Sequence, residues 1–232
     1  MIQYPQIDPV ALSLGPISIY WYGLTYVGGL VFAWWLGRQR SRVACSPISE
    51  AQVDDLIFYA ALGIIAGGRI GYALFYGSES LFYDPMRLFR LWEGGMSFHG
   101  GLIGVATASF LFFRKNSVPL RSGADLLALG TPIGLGLGRL ANFVNDELWG
   151  RVTDVPWGVI VTSPHSRSVC EEIIGSCIRH PSQIYEALLE GLILFILMMY
   201  LAFRKNAFMR PGFLSGIFFS GYGLSRCFVE LF

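Results

Sequence analysis

"QIYEALLEGLILFILMMYLAF", Gln183–Phe203, sets a glutamine and two glutamates at the head of a long apolar run. A helix that crosses a bilayer needs about 20 mostly apolar residues. From Leu192 to Phe203 no charged residue interrupts the run, so the stretch reads as a membrane span whose first turns are costly to bury. Gln183, Glu186 and Glu190 recur at helical spacing, which gathers them into one polar stripe facing inward. Compensation of the helix dipole accounts for Glu186 at best. Pro181 suits a first helical turn, with His180 just before it.

Five further apolar runs extend this reading along the chain, at about residues 18–37, 54–76, 97–113, 122–142 and 212–231. The fourth in chain order, "SGADLLALGTPIGLGLGRLAN", is the least hydrophobic. Composition agrees: of 232 residues 53 % are hydrophobic and 14 % charged, with mean hydropathy +0.51, where a soluble domain carries about 25 % charge. The 28 glycines suit close helix packing in a membrane. A net charge of +1 without a large basic stripe argues against nucleic acid. The start, "MIQYPQIDPVALSLG", lacks a basic segment followed by a small-residue cleavage site, so no removable signal peptide is expected.

The expected fold is therefore an all-α polytopic membrane protein, a bundle of about six spans. Arg38, Arg40 and Arg42, then Arg114, Lys115 and Arg121, then Arg204, Lys205 and Arg210 follow spans one, three and five. The positive-inside rule puts these loops in the cytoplasm and the N-terminus outside. Residues 1–142 then hold four spans, 143–181 a small external head with "VPWGVIV" as a short strand, and 182–232 two more spans. Four scattered cysteines show no metal-ligand spacing, and no metal or cofactor is expected. Cys170 and Cys177 pair if their loop faces an oxidising compartment and are otherwise free thiols; both readings stand.

An ionisable group inside hydrocarbon costs at least a few kcal/mol and is by default a functional candidate. "GLGRLANFVNDELWGR", Gly136–Arg151, has Arg139 and Asn142 on one helical face and Glu147 in the turn beyond. Snorkelling would explain Arg139 alone; the density of Asn142, Asn145, Asp146, Glu147 and Arg151 argues for a built polar site. Arg226 and Glu230, four apart, fit either a structural ion pair or a phosphate-binding guanidinium held by its acid. His99 at the start of span three reads as a hydrogen-bonded anchor, but Gly100 and Gly101 beside it admit a backbone or a headgroup, and imidazole is the usual proton carrier at neutral pH. Arg69, among small residues in span two, faces the bundle; Glu186, Glu190 and a lipid phosphate are its candidate partners. Tyr20, Trp21 and Tyr22 would serve as interfacial aromatics. Most of these groups lie near the outer ends of the spans and describe one polar cavity. Arginines dominate it, which suits an anionic headgroup.

"MSFHGGLIG" and "GRLANFVNDELWGR" resemble the two signature stretches of the prolipoprotein diacylglyceryl transferase family. "DPVALSLGPISIYWYGLTY", "GGRIGY", "RHPSQIYEALLEG" and "GYGLSRCFVE" resemble its other blocks, in order, over essentially the whole chain. The resemblance implies a multi-pass enzyme of the bacterial inner membrane, its active site towards the periplasm. Such an enzyme moves the diacylglyceryl group of phosphatidylglycerol onto the lipobox cysteine of a prolipoprotein, recognised with its signal peptide, as a thioether. Glycerol-1-phosphate leaves. This is the first step of bacterial lipoprotein maturation.

Carried over by motif, the family's essential tyrosine falls on Tyr22 and its signature histidine on His99. Its catalytic arginines and late glutamate fall on Arg139, Arg226 and Glu230. Asn142, Glu147, Gly150, Tyr222, Gly100, Gly101 and Arg69 are expected around the substrate. His99 is the first candidate base for the attacking thiol, and the arginines would hold the phosphate. The family shows glycine where this chain has Ala141, and commonly where it has Asp146. It also has a seventh helix, expected to be missing here because the sequence stops at Phe232. A monomer is expected, since nothing resembles a dedicated oligomer interface. A phospholipid transporter or scramblase would need polar groups across both faces, and a pure scaffold would make Arg226–Glu230 structural.

Overall fold

The computed structural model describes residues 2–15, 17–43, 46–76, 84–90, 94–161 and 177–232. Cys45, Arg167 and Cys170 lie outside them. Helices dominate: α1 (Trp21–Ser41), α2 (Glu50–Tyr76), α3 (Phe98–Lys115), α4 (Leu120–Val144), α5 (Ser182–Arg204) and α6 (Phe213–Val229). Each coincides with an apolar run read from the sequence. Among the described residues α2, α4 and α5 are long and apolar enough to cross a membrane, and α6 is a shorter apolar helix. The first run begins differently from its expectation. Ile17–Tyr20 is a strand, β3, paired antiparallel with β2 (Val10–Leu14), because β-branched Ile17 and Ile19 follow a turn at Gly15, whose φ is +62°.

The chain divides into two compact units, 34–123 on one hand and 1–33 with 124–232 on the other. In the 34–123 unit, α2 and α3 cross on glycines. A Cβ built on Gly63 would lie 2.6 Å from Gly104 O and 2.8 Å from Ala108 Cβ, and one on Gly67 would strike Gly100 O and lie 2.7 Å from Gly104 Cα. Gly63, Gly67 and Gly71 thus face Gly100, Gly104 and Ala108 at four-residue spacing, the small-residue packing that lets two membrane helices touch backbone to backbone. At the other end of α2, Arg38 reaches Asp54 at 3.1 Å and Glu50 at 2.8 Å, while Arg42 reaches Glu50 at 3.0 Å. Two arginines counted for the positive-inside rule thereby also close the α1–α2 turn.

In the second unit, α4 is the central helix. A Cβ on Gly29 of α1 would meet Gly134 Cα at 3.1 Å, and one on Gly136 would meet Gly191 Cα of α5 at 3.0 Å. Asp125, fully buried near the start of α4, accepts hydrogen bonds from Gly212 N, Ser215 N and Ser215 Oγ, each 2.8 Å. It satisfies orphan amides at the N-terminus of α6 and pins that helix to α4. The polar segment after α4 carries a small sheet in the order β1 (Ile2–Gln3), β4 (Val159–Ile160), β5 (Ile178–Arg179), so the N-terminal residues join it. Its core is Tyr4, Trp149, Val159, Val161 and Cys177, with Phe143 against it. Tyr4 donates from its hydroxyl to Phe143 O at 2.8 Å and tethers this core to the end of α4. Cys177 is disulfide-bonded.

The glycine contact gives a direct test. Gly67→Leu should lower the melting temperature in detergent, followed by circular dichroism, as an overpacked core costing about 1–3 kcal/mol does. Gly216→Ala, where a Cβ meets nothing within 4 Å, should leave it level or slightly raised.

Candidate active site

The polar groups of the second unit converge where α4 ends, α5 begins and α6 ends. α5 supplies the acids. Between Glu186 and Leu194 it opens into a π-helical segment, Ala187–Ile193, an irregularity that proteins often keep at functional sites. Glu186 is 5 % exposed and Glu190 not at all. Glu186 bridges two arginines from different helices: Oε2 lies 3.1 Å from Arg139 Nε of α4, and Oε1 pairs with Arg226 NH1 of α6. Glu190 stands behind it, 3.8 Å from each of the same two nitrogens. Arg226 also pairs through NH2 with Glu230, one turn on. One carboxylate therefore sets the spacing of two guanidinium groups in an otherwise apolar bundle.

The arginines are not equally engaged. Arg226 gives both terminal nitrogens to glutamates. Arg139 approaches the acids through Nε, and its two terminal nitrogens make no hydrogen bond to the described residues. Its side chain is 20 % exposed. The sequence reading made arginine the dominant charge. In the structure three glutamates surround the two guanidinium groups, so the acids outnumber them.

Beyond Arg139, α4 ends in a tight turn. Asp146 and Leu148 have φ of +56° and +60°. The value at Asp146 explains why glycine suits that position; here the aspartate also accepts from Trp149 Nε1 at 2.6 Å. The turn swings Glu147 back so that its Oε1 accepts from Asn142 Nδ2 at 2.8 Å and Asn145 Nδ2 at 3.3 Å. Gln183 Nε2 donates to Glu147 O at 2.6 Å, and Ser182 Oγ to Leu148 O at 3.0 Å, tying the turn to α5. Gly150 closes the same joint. Its N donates to His180 O at 3.0 Å, its carbonyl accepts from Arg179 Nε at 2.7 Å, and a Cβ there would lie 2.7 Å from Phe232 O and 2.9 Å from His180 Cβ. His180 sits at this joint with Nδ1 3.1 Å from the Tyr185 hydroxyl, and burial pushes its imidazole below the ordinary value.

Tyr22, at the start of α1, lies within electrostatic reach of Arg139 and Glu147, its hydroxyl 3.4 Å from that of Tyr26. Tyr222 stands one turn before Arg226, stacked on Phe218. An apolar groove of about 290 Å³ runs between α4 and α5, lined by Leu137, Leu140, Ile184 and Leu188 among others.

The remaining expected site residues belong to the 34–123 unit. His99 is exposed in the first turn of α3, where Ser97 Oγ caps the helix by accepting from Gly100 N at 3.2 Å. Gly100 is also one of the glycines that admit α2, whereas a Cβ on Gly101 would meet ordinary contacts at 3.6 Å or more. Arg69 has partners that the sequence reading did not offer. Its guanidinium donates to backbone carbonyls, Leu88 O at 3.1 Å, Gly95 O at 2.9 Å and those of Arg90 and Gly94, so it clasps the segment before α3. Glu186 and Glu190 were singled out by spacing but not placed among the site residues; Arg139 and Arg226 are their partners. Among the described residues no group of three or more histidine, cysteine or acidic side chains is arranged for a metal.

Comparison with known proteins adds the identity of the whole. The family model described as prolipoprotein diacylglyceryl transferase matches residues 9–232. Proteins named phosphatidylglycerol–prolipoprotein diacylglyceryl transferase align along the chain. That of Agrobacterium fabrum is 47 % identical over 238 residues, covering 100 % of this chain and 81 % of the relative. That of Methylococcus capsulatus is 48 % identical over 231 residues, covering 99 % and 83 %. That of Brucella canis is 46 % identical over 237 residues, covering 100 % and 81 %. With the family match and these alignments running through every helix that builds the site, the chain belongs to the prolipoprotein diacylglyceryl transferase family and is an enzyme.

Proposed function

We propose that this enzyme transfers diacylglyceryl from phosphatidylglycerol to the lipobox cysteine of a prolipoprotein at the Arg139–Arg226 site. The observation that carries the reading is the open fork of Arg139, fixed by Glu186 beside a second guanidinium. A phosphate oxygen meets the terminal nitrogens of Arg139, which bond to none of the described residues, and Arg226 adds charge one carboxylate's width away. Glu147, held by Asn142 and Asn145, lines the approach, and Tyr22 and Tyr222 flank it. The acyl chains stay in hydrocarbon, where the apolar α4–α5 groove offers one of them a berth.

The chemistry follows from the groups. The cysteine thiol gives its proton to a base, for which exposed His99 is the candidate. The thiolate attacks the glyceryl C3 carbon; a C–S bond forms, the C–O bond to phosphate breaks, and glycerol-1-phosphate leaves with the electron pair. Arginine stabilises the charge that develops on the leaving phosphate. Six spans, the N-terminus outside and the site towards the periplasm follow from the arginine-rich loops after spans one, three and five. The Cys177 disulfide fits an oxidising compartment.

Two measurements test this. Purified protein, phosphatidylglycerol and a lipobox peptide should yield peptide bearing diacylglyceryl on cysteine, read by mass. Arg139→Ala should lower kcat/KM at least about 100-fold, roughly 3 kcal/mol of lost transition-state binding, measured on protein that circular dichroism shows to be folded, and should also lower the melting temperature because Glu186 loses a counter-cation. Activity within threefold of wild type would remove Arg139 from the mechanism. The saturated pairing of Arg226 favours a second, purely structural reading of that residue. Arg226→Lys separates the two, because it keeps a cation beside Glu186 and removes the fork: the fold should persist while turnover falls, and retained turnover would make Arg226 structural.

A further inference from the structure

Four buried acceptor atoms at the glutamate end of the site receive no hydrogen bond from the described residues. Two belong to Glu190, which is wholly buried and whose nearest cations stand 3.8 Å away. The third is Oε1 of Gln183, also wholly buried. Rotating that amide does not help, because its Nε2 is committed to Glu147 O at 2.6 Å. The fourth is Asn145 Oδ1, whose Nδ2 is likewise engaged by Glu147. Buried polar atoms are normally paired, and leaving one bare costs its full desolvation. Here the bare atoms are all acceptors, and Gln183 and Glu190 project from the same helix as Glu186, which holds the two arginines.

Such a set calls for donors without added positive charge. An ammonium headgroup would bring a third cation beside Arg139 and Arg226. Hydroxyl groups bring donors and no charge, and they leave the phosphate of the same headgroup to the arginines. We propose that Gln183 Oε1 and the Glu190 carboxylate accept hydrogen bonds from headgroup hydroxyls of an anionic phospholipid, and so select a hydroxyl-bearing headgroup over one of equal charge without hydroxyls. This rests on the phosphate site proposed above. A site whose buried acceptors stay unpaired with the wrong ligand discriminates far more sharply than an apolar pocket does.

The test compares phosphatidylglycerol with phosphatidylethanol, which carries the same single charge and no headgroup hydroxyl. Lipid retention by the full chain is read by native mass spectrometry, and transfer to a lipobox peptide by mass. Wild type should retain phosphatidylglycerol at least about tenfold better. Gln183→Met and Glu190→Gln should each bring that preference to within about twofold. The ratio is internal to each variant, so a loss of folded protein, which lowers both lipids alike, does not imitate the result. Equal retention by wild type, or variants that keep its preference, would overturn the proposal. Preference without any transfer would support the acceptor site and remove the transferase reading; transfer without preference would do the reverse.

Discussion

A carboxylate buried among membrane helices is stable only if cations meet it, and Glu186 is met by two. Its oxygens divide between Arg139 on α4 and Arg226 on α6. Removing either arginine would leave buried negative charge under-compensated, so the pairs constrain where three helices stand. The cost of burying charge is thus turned into positional information. Arg226 gives both terminal nitrogens to glutamates, while Arg139 approaches the acids through Nε.

The helices can come close enough for such a bridge because their crossing points lack side chains. Gly136 and Gly191 let α4 and α5 touch within a turn of Arg139 and Glu190, and Gly29 and Gly134 do the same for α1 and α4. Asp125 ties α4 to the N-terminus of α6, so Arg226 arrives at a fixed height. The Glu147 turn, bonded to Gln183 and Ser182, closes the site from the other side. Packing and ionic contacts therefore specify one arrangement together.

Much of this was legible in the chain. Every apolar run became a helix over most of its length, the first only from Trp21 on, because a 20-residue apolar segment has few other ways to satisfy its backbone in lipid. Local spacing put Asn142 on the Arg139 face and Glu147 in the turn beyond; that the two bond to each other came only with the structure. Long-range partners were not legible. Arg226 was matched with Glu230 because i,i+4 neighbours are visible in sequence, yet its other partner, Glu186, is forty positions away. For Arg69 two glutamates and a lipid phosphate stood as candidate partners, but a guanidinium with five donors is equally satisfied by backbone carbonyls, and those leave no trace in residue identity. The spacing of Gln183, Glu186 and Glu190 pointed to an inward stripe; which cations met it depended on the crossing of α4, α5 and α6. Gly100 was read as admitting another backbone or a headgroup; that the backbone is that of Gly67 emerged only once α2 and α3 were paired.

The central claim is that Arg139 and Arg226 act as one unit through a shared carboxylate. A double-mutant cycle in kcat/KM with Arg139→Lys and Arg226→Lys, which keep the charge and remove the fork, measures this most directly. Shared attachment to Glu186 predicts strong non-additivity: once one fork is gone, losing the other costs much less than it does in wild type, with a coupling of about 1–3 kcal/mol. A double variant whose loss equals the product of the two single losses would show two independent arginines and contradict the account.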